Sequence, residues 1–134
     1  MLKIYTDAAT NPKQNVSGAG ILIVGENLHR QLALVLHTGD NHEAEFMAVA
    51  AALRYCIAQD WQEQTIMLHT DSKTVALAID KNYTGKPAFQ PLLAEIEQLL
   101  EAFKLVLIRW IPEAKNKGAD QLAKQGLQKA LKEK

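Results

Sequence analysis

Two apolar runs in this chain stop at the same pair of residues, a threonine followed by an aspartate. "LKIYTDAA", Leu2 to Ala9, stops at Thr6-Asp7, and "IMLHTDSK", Ile66 to Lys73, stops at Thr70-Asp71. One carboxylate at a strand end is ordinary surface chemistry, whereas two in matched settings suggest a shared purpose. Two further acids fall at comparable edges. Glu45 sits in the first turn of a helix expected to begin at Ala44, and its i+4 neighbour Val49 lies on the apolar stripe, which turns Glu45 toward the sheet. Asp120 sits in the first turn of the last expected helix, flanked by the core positions Ala119 and Leu122. Taken singly, each acid has a plain explanation: Glu45 and Asp120 complement a helix dipole, and Asp71 caps the helix that follows it.

Taken together they do not. Unpaired carboxylates about 4 Å apart repel by about 4 kcal/mol per pair at an effective dielectric near 20. No arginine stands beside these four in compensation. A cluster of that kind is strained unless divalent cations fill it, and oxygen-only ligands suit Mg²⁺ or Mn²⁺. Two such ions about 4 Å apart can activate a water and stabilise the leaving oxygen of a phosphodiester.

Convergence of the four depends on the elements that carry them. The first forty residues read as three antiparallel strands: Leu2 to Thr6, then "AGILIVG" after the turn-rich "NPKQNVSG", then "HRQLALVLHT". The period then changes. Phe46, Val49, Ala50, Leu53 and Ile57 form a helical stripe, with Asn41 or His42 near its start. "QTIMLHTD" is a fourth strand and "KTVALAID" a short helix. Phe89, Leu92, Leu93, Ile96, Leu99, Leu100 and Phe103 predict one long helix, "KLVLIRWIP" a fifth strand stopped by Pro112, and "ADQLAKQGLQKAL" a final helix. This order predicts an α/β fold with a five-stranded mixed sheet flanked by helices. The first three strands are antiparallel, and the first, fourth and fifth are parallel through helical crossovers. Right-handed crossovers put the fourth strand beside the first, with Asp7 and Asp71 at the carboxyl edge where open α/β sheets bind ligands.

Bulk properties bound the rest. With 134 residues, 48% of them hydrophobic and 22% charged, a single domain over 1–134 with a real core is expected. No apolar run approaches the ~20 residues of a membrane span, and no secretory leader pattern opens the chain. Cys56 stands alone among apolar neighbours, so a reduced thiol, a cytoplasmic location and no membrane partner are expected. The formal net charge is zero, but residues 102–134 carry eight basic and three acidic side chains. That excess reads as a solvated helix face unless a phosphate-facing role has other support.

Four stretches in order, "IYTDAATNP", "NHEAEFMAV", "LHTDSKTV" and "WIPEAKNKGADQLAK", resemble the motifs of the type 1 ribonuclease H family. The resemblance spans residues 2 to about 127. It implies a ribonuclease H-like fold and a metal-dependent endoribonuclease acting on an RNA–DNA hybrid. Cleavage of the RNA strand by two Mg²⁺ or Mn²⁺ ions would leave 5′-phosphate and 3′-hydroxyl ends. By the same resemblance Asp7 bridges both ions, Asp120 helps hold the ion that activates water, and Glu45 and Asp71 help hold the second. Asn11 and Asn41 match positions that touch the hybrid, and a monomer is expected. Small residues after Asp7 and at the helix start from Asn41 to Ala44 would let the 2′-hydroxyls of the minor groove approach.

The match departs from the family in three places. The loop "PEAKNKGA" has no histidine before Asp120, which leaves Glu113 or Lys117 to substitute, with Lys117 a candidate substrate contact. Ala8 stands where glycine is common. The basic, aromatic-containing protrusion of better-known bacterial members shrinks to "NYTGKPAFQP", with only Lys81 and Lys86 nearby. Phe89 is expected in the core and Tyr83 in a loop. His29, His37, His42 and His69 match no zinc spacing and read as structural, with His69 the one that could touch the cleft. The second reading is therefore a binding module of the same fold with little or no hydrolysis. A proofreading-type exonuclease is set aside, because Ala8 and Ala9 follow Asp7 where Asp-X-Glu would be required.

Overall fold

The structure of the chain, a computed structural model, describes residues 1–134. Five strands, β1 (Leu2–Asn11), β2 (Val16–Gly25), β3 (Leu28–Leu36), β4 (Thr65–Thr70) and β5 (Leu105–Trp110), form one mixed sheet in the order β3-β2-β1-β4-β5. β1, β2 and β3 are antiparallel; β1, β4 and β5 are parallel. Both relations are those the strand order predicted. Four helices flank the sheet: α1 (Asn41–Ala58), α2 (Lys73–Lys81), α3 (Gln90–Leu100) and α4 (Lys117–Lys132). None is long and apolar enough to cross a membrane.

The main core lies on one side of the sheet. There Ile4, Ile21, Ile23, Ile66 and Leu68 meet Phe46, Val49 and Leu53 of α1 and Ile96 of α3. α4 takes the other side, lying on β1, β2 and β3. It can do so because β2 offers glycines there. A Cβ on Gly18 would strike the α4 backbone at Leu127 and Ala123, and one on Gly20 would strike it at Ala119 and Ala123. This close approach carries Asp120 to the sheet edge. Gly20→Ala is expected to push α4 outward and destabilise the fold by about 3 kcal/mol, the upper end for overpacking. Urea denaturation checks it, and an unchanged midpoint would show that α4 yields without strain.

Three boundaries differ from the sequence expectation, each for a physical reason. β1 does not end at Thr6. Its parallel pairing with β4 stops at Thr6–Thr70, but its antiparallel ladder with β2 runs on to Asn11 opposite Val16. α1 begins at Asn41 rather than Ala44, because the Asp40 side chain accepts from the Glu43 amide at 2.8 Å and caps it. The single long helix after residue 86 is two pieces. A 3-10 turn, Pro87–Phe89, precedes α3, since Pro91 is tolerated only in a first turn. Phe89 and Phe103 are buried as expected although both lie outside α3, and Tyr83 is an exposed loop residue.

Candidate active site

β1 carries Asp7 one residue past the point where β4 leaves it, so a rigid, still-paired strand presents the carboxylate in the gap beyond Thr70. Asp71 follows at the end of β4. It does not cap α2: the Ser72 hydroxyl accepts from the Val75 amide instead, at 3.2 Å. Asp71 is positioned from two sides. Trp110 Nε1 donates to its main-chain oxygen at 3.1 Å, and Asn116 Nδ2 donates to its Oδ2 at 3.1 Å. Glu45 enters from α1. With the helix starting at Asn41, it lies beyond the first three positions and is not a dipole-complementing cap.

One carboxylate oxygen each from Asp7, Glu45 and Asp71 lie within 4.8 Å of one another. Asp7 and Glu45 are only 6% and 4% exposed. Burial first, and then the charge of Asp71, pushes the Asp7 carboxyl up to about 7. Burial, followed by Asp7 and Asp71, pushes Glu45 up to about 10. Glu45 Oε2 is buried with no hydrogen-bond partner. A buried acceptor left open beside two further carboxylates fits a hard divalent cation, and the all-oxygen donor set suits Mg²⁺ or Mn²⁺.

Asp120 lines the same cleft, a cavity of about 720 Å³, but stands outside the tight trio. Its Oδ2 accepts from Lys124 Nζ at 3.1 Å, and its charge still contributes to raising Asp7. Asn41 and Lys117 also line the cleft. Asn11 does not; its Oδ1 accepts from the Gln14 amide and closes the turn after β1. His69 also lies away from the cleft, buried, with Nδ1 3.0 Å from the Ile4 carbonyl oxygen. His42, read from sequence as structural, is on the cleft wall, as are Lys73 and Lys124.

The family model described as reverse transcriptase-like matches residues 5–126. The chain belongs to this family, of ribonuclease H-like fold. The ribonuclease H-like chain is 47% identical over 129 residues, 96% of each chain, to the Enterococcus faecalis (strain ATCC 700802 / V583) protein named "Putative hydrolase EbsB". Among solved structures it is similar to RNase H1 from the halophilic archaeon Halobacterium salinarum NRC-1. The TM-score is 0.84 at 25% identity, covering 96% of this chain and 98% of that one. It shares its fold with LC11-RNase H1 solved in complex with an RNA/DNA hybrid, at TM-score 0.86 and 22% identity over 98% and 99% of the two chains. This ribonuclease H-like protein is a short one. Between α2 and the Pro87–Phe89 turn there are only five residues, led by Asn82 in the left-handed conformation, in place of a basic protrusion.

Asn116 is, with Lys73 and Lys124, a site residue that the sequence did not single out. It is 1% exposed, and its Nδ2 bridges the Thr6 carbonyl at 2.8 Å and Asp71 Oδ2. It therefore joins β1, β4 and the start of α4 at one point. Its only sequence signal was a polar residue in a lysine-rich loop, which reads as solvent-facing. Asn116→Ala leaves the Thr6 carbonyl without this donor and is expected to cost about 2 kcal/mol. Asp71 should lose its orientation with it. Thermal unfolding checks the first effect. The second should appear as a raised metal requirement for any activity, and an unmoved metal requirement would confine Asn116 to a structural role.

Proposed function

We propose that this protein is a metal-dependent endoribonuclease that hydrolyses the RNA strand of RNA–DNA hybrids. The observation that carries the proposal is the buried trio Asp7, Glu45 and Asp71 with the open Glu45 Oε2, facing a cleft whose walls also bear Lys73, Lys117 and Lys124. Support of a coarser kind comes from a hydrolase name on the 47% identical relative and from a shared fold with a protein solved on an RNA/DNA hybrid.

In this reading Asp7, Glu45 and Asp71 would hold one Mg²⁺ or Mn²⁺, and Asp120 with Asp7 would help hold a second. Such ions would supply a nucleophilic water at neutral pH and neutralise charge on the leaving oxygen. The water oxygen bonds to phosphorus as the P–O3′ bond breaks, a water proton passes to the departing O3′, and the products are a 3′-hydroxyl and a 5′-phosphate. The residues themselves do the positioning. β1 and α1 fix the trio, while Lys73 and Lys117 meet the phosphates flanking the scissile one. Asn41 and the small Ala8 border the cleft where a 2′-hydroxyl can approach closely, which favours RNA over DNA. Glu113 and Lys117, both on the wall, are the side chains available in place of the absent loop histidine.

One observation favours the second reading, a hybrid-binding module with little hydrolysis: Asp120 is paired with Lys124. The deciding experiment is a cleavage assay on labelled hybrid with Mg²⁺ or Mn²⁺, with duplex DNA, duplex RNA and single-stranded RNA as controls. Cleavage confined to the RNA strand of the hybrid supports the nuclease. Hybrid binding without turnover selects the module.

A further inference from the structure

α4 lies on β1, β2 and β3, and on that side of the sheet Leu105 and Leu107 of β5 stay exposed. Two adjoining hollows lie on this side of the sheet, the larger beyond α4 and the smaller against the start of α4. The larger, about 510 Å³, is lined by Lys3, Tyr5, His69, Arg109 and Lys115 among others. The smaller, about 300 Å³, is lined by Leu22, Val24 and Gly118 and shares Tyr5 and Lys115. No acidic side chain lines either one. Lys3, Arg109 and Lys115 are all exposed, and none of them is in an ion pair. Apolar surface left bare beside unpaired cations marks an interaction site, and the cations set the charge of what binds.

The aromatic in these hollows is held in place. The Tyr5 ring stacks on the His69 ring, with centroids 4.3 Å apart and planes 10° from parallel, and His69 is anchored to the Ile4 carbonyl. At the rim stands Trp110, 41% exposed, which lines the larger hollow and donates to the Asp71 main chain. The acidic cleft and the basic face therefore meet at one residue.

A fixed aromatic plate, an apolar floor and three free cations are what single-stranded nucleic acid requires: bases stack and phosphates are neutralised. A duplex keeps its bases paired and offers no free base face to Tyr5. We infer that the sheet face left open beside α4, from Lys3 and Tyr5 of β1 across β4 to Arg109 of β5, binds single-stranded nucleic acid leading away from the cleft past Trp110, with a base against Tyr5 and phosphates on Lys3, Arg109 and Lys115. The strand is the unpaired flank of a hybrid, a role that rests on the proposed function, but the binding itself needs no hydrolysis.

The test is fluorescence anisotropy of a labelled 12-nucleotide single strand, in EDTA, with the full chain carrying Asp7→Asn so that nothing is cut. Binding is expected, with a slope of log affinity against log salt of about −2 for three neutralised phosphates. Lys3→Glu with Arg109→Glu should weaken it at least tenfold, and Lys115→Glu, outside the sheet, should weaken it several-fold. Binding to a blunt hybrid should change less than twofold in the same variants. Equal single-strand affinity in the wild-type face and the charge-reversed variants would overturn the inference. So would concentration-dependent self-association abolished by Leu107→Glu with no oligonucleotide binding, which would make this face a protein interface. If the anisotropy pattern holds while the active chain cuts no hybrid, the nuclease reading falls and the single-strand site stands. If cutting is found without the pattern, the reverse is true.

Discussion

Asp7→Asn is expected to lower hybrid cleavage in Mg²⁺ by roughly a thousandfold or more, equivalent to about 4 kcal/mol of transition-state stabilisation. The same change should make the metal-free protein more stable. Asp7 is a 6% exposed carboxyl whose oxygens share a 4.8 Å neighbourhood with Glu45 and Asp71. Removing its charge relieves about 1–2 kcal/mol of repulsion and burial cost, which is several degrees in Tm for a chain of this size. Function and stability thus move in opposite directions at one atom, as required of a site strained for use. Cleavage kinetics and calorimetry in EDTA check the two halves. A variant that loses activity and also loses stability would mean that Asp7 is a structural residue.

The second large effect concerns pH. Asp7 is raised from an ordinary 3.8 to about 7, and Glu45 from 4.5 to about 10. The folded chain therefore retains protons that the unfolded chain releases. Their stabilising contribution is complete below about pH 4 and is lost as pH rises, first through 7 for Asp7 and then toward 10 for Glu45. Each pH unit between the unfolded and folded values is worth at most 1.36 kcal/mol per group. Unfolding free energy without metal should accordingly fall by at least about 2 kcal/mol between pH 5 and 8. Millimolar Mn²⁺ should restore most of it near pH 8, because ion binding uses the deprotonated carboxylates and stabilises only the folded state. Glu45→Gln should flatten the metal-free profile. Urea titrations across the pH range, with and without Mn²⁺, measure all three. A metal-free stability that is flat or rises over this window would contradict the strained cluster.

What the chain revealed in advance, and what it hid, follows from the range of the interactions. Alternating or helically spaced apolar residues mark β2, β3, β4, α1 and α4, because each buries one face independently of its neighbours. Asp7 and Asp71 were legible as a pair because the apolar runs of β1 and β4 stop at the same Thr-Asp step. The continuation of β1 through Ala8–Asn11 was hidden, since the small and polar residues there show no apolar alternation and pair with Val16–Ala19 through backbone and one Thr10–Ser17 hydroxyl contact. The break before α3 was readable from Pro87 and Pro91, yet the apolar stripe from Phe89 to Phe103 runs across it and conceals it. Asn116 could not be found at all. Its partners, Thr6 and Asp71, are 110 and 45 residues away, and nothing local to a lysine-rich loop signals such contacts. Asn11 shows a local contact that spacing did not announce: its Oδ1 accepts from the Gln14 amide and closes the turn after β1.

The link between Asn116 and Thr6 has a consequence for biosynthesis. The acids are spread along nearly the whole chain, from residue 7 to residue 120, and the clamp that orients Asp71 comes from its last fifth. A ribosome-bound polypeptide that has emerged only as far as β5 can pair its strands, but the crowded carboxylates are not yet locked together. The trio can meet by then, but the Asn116 clamp on Asp71 and the added charge of Asp120 arrive last, in keeping with the slow closure of distant contacts.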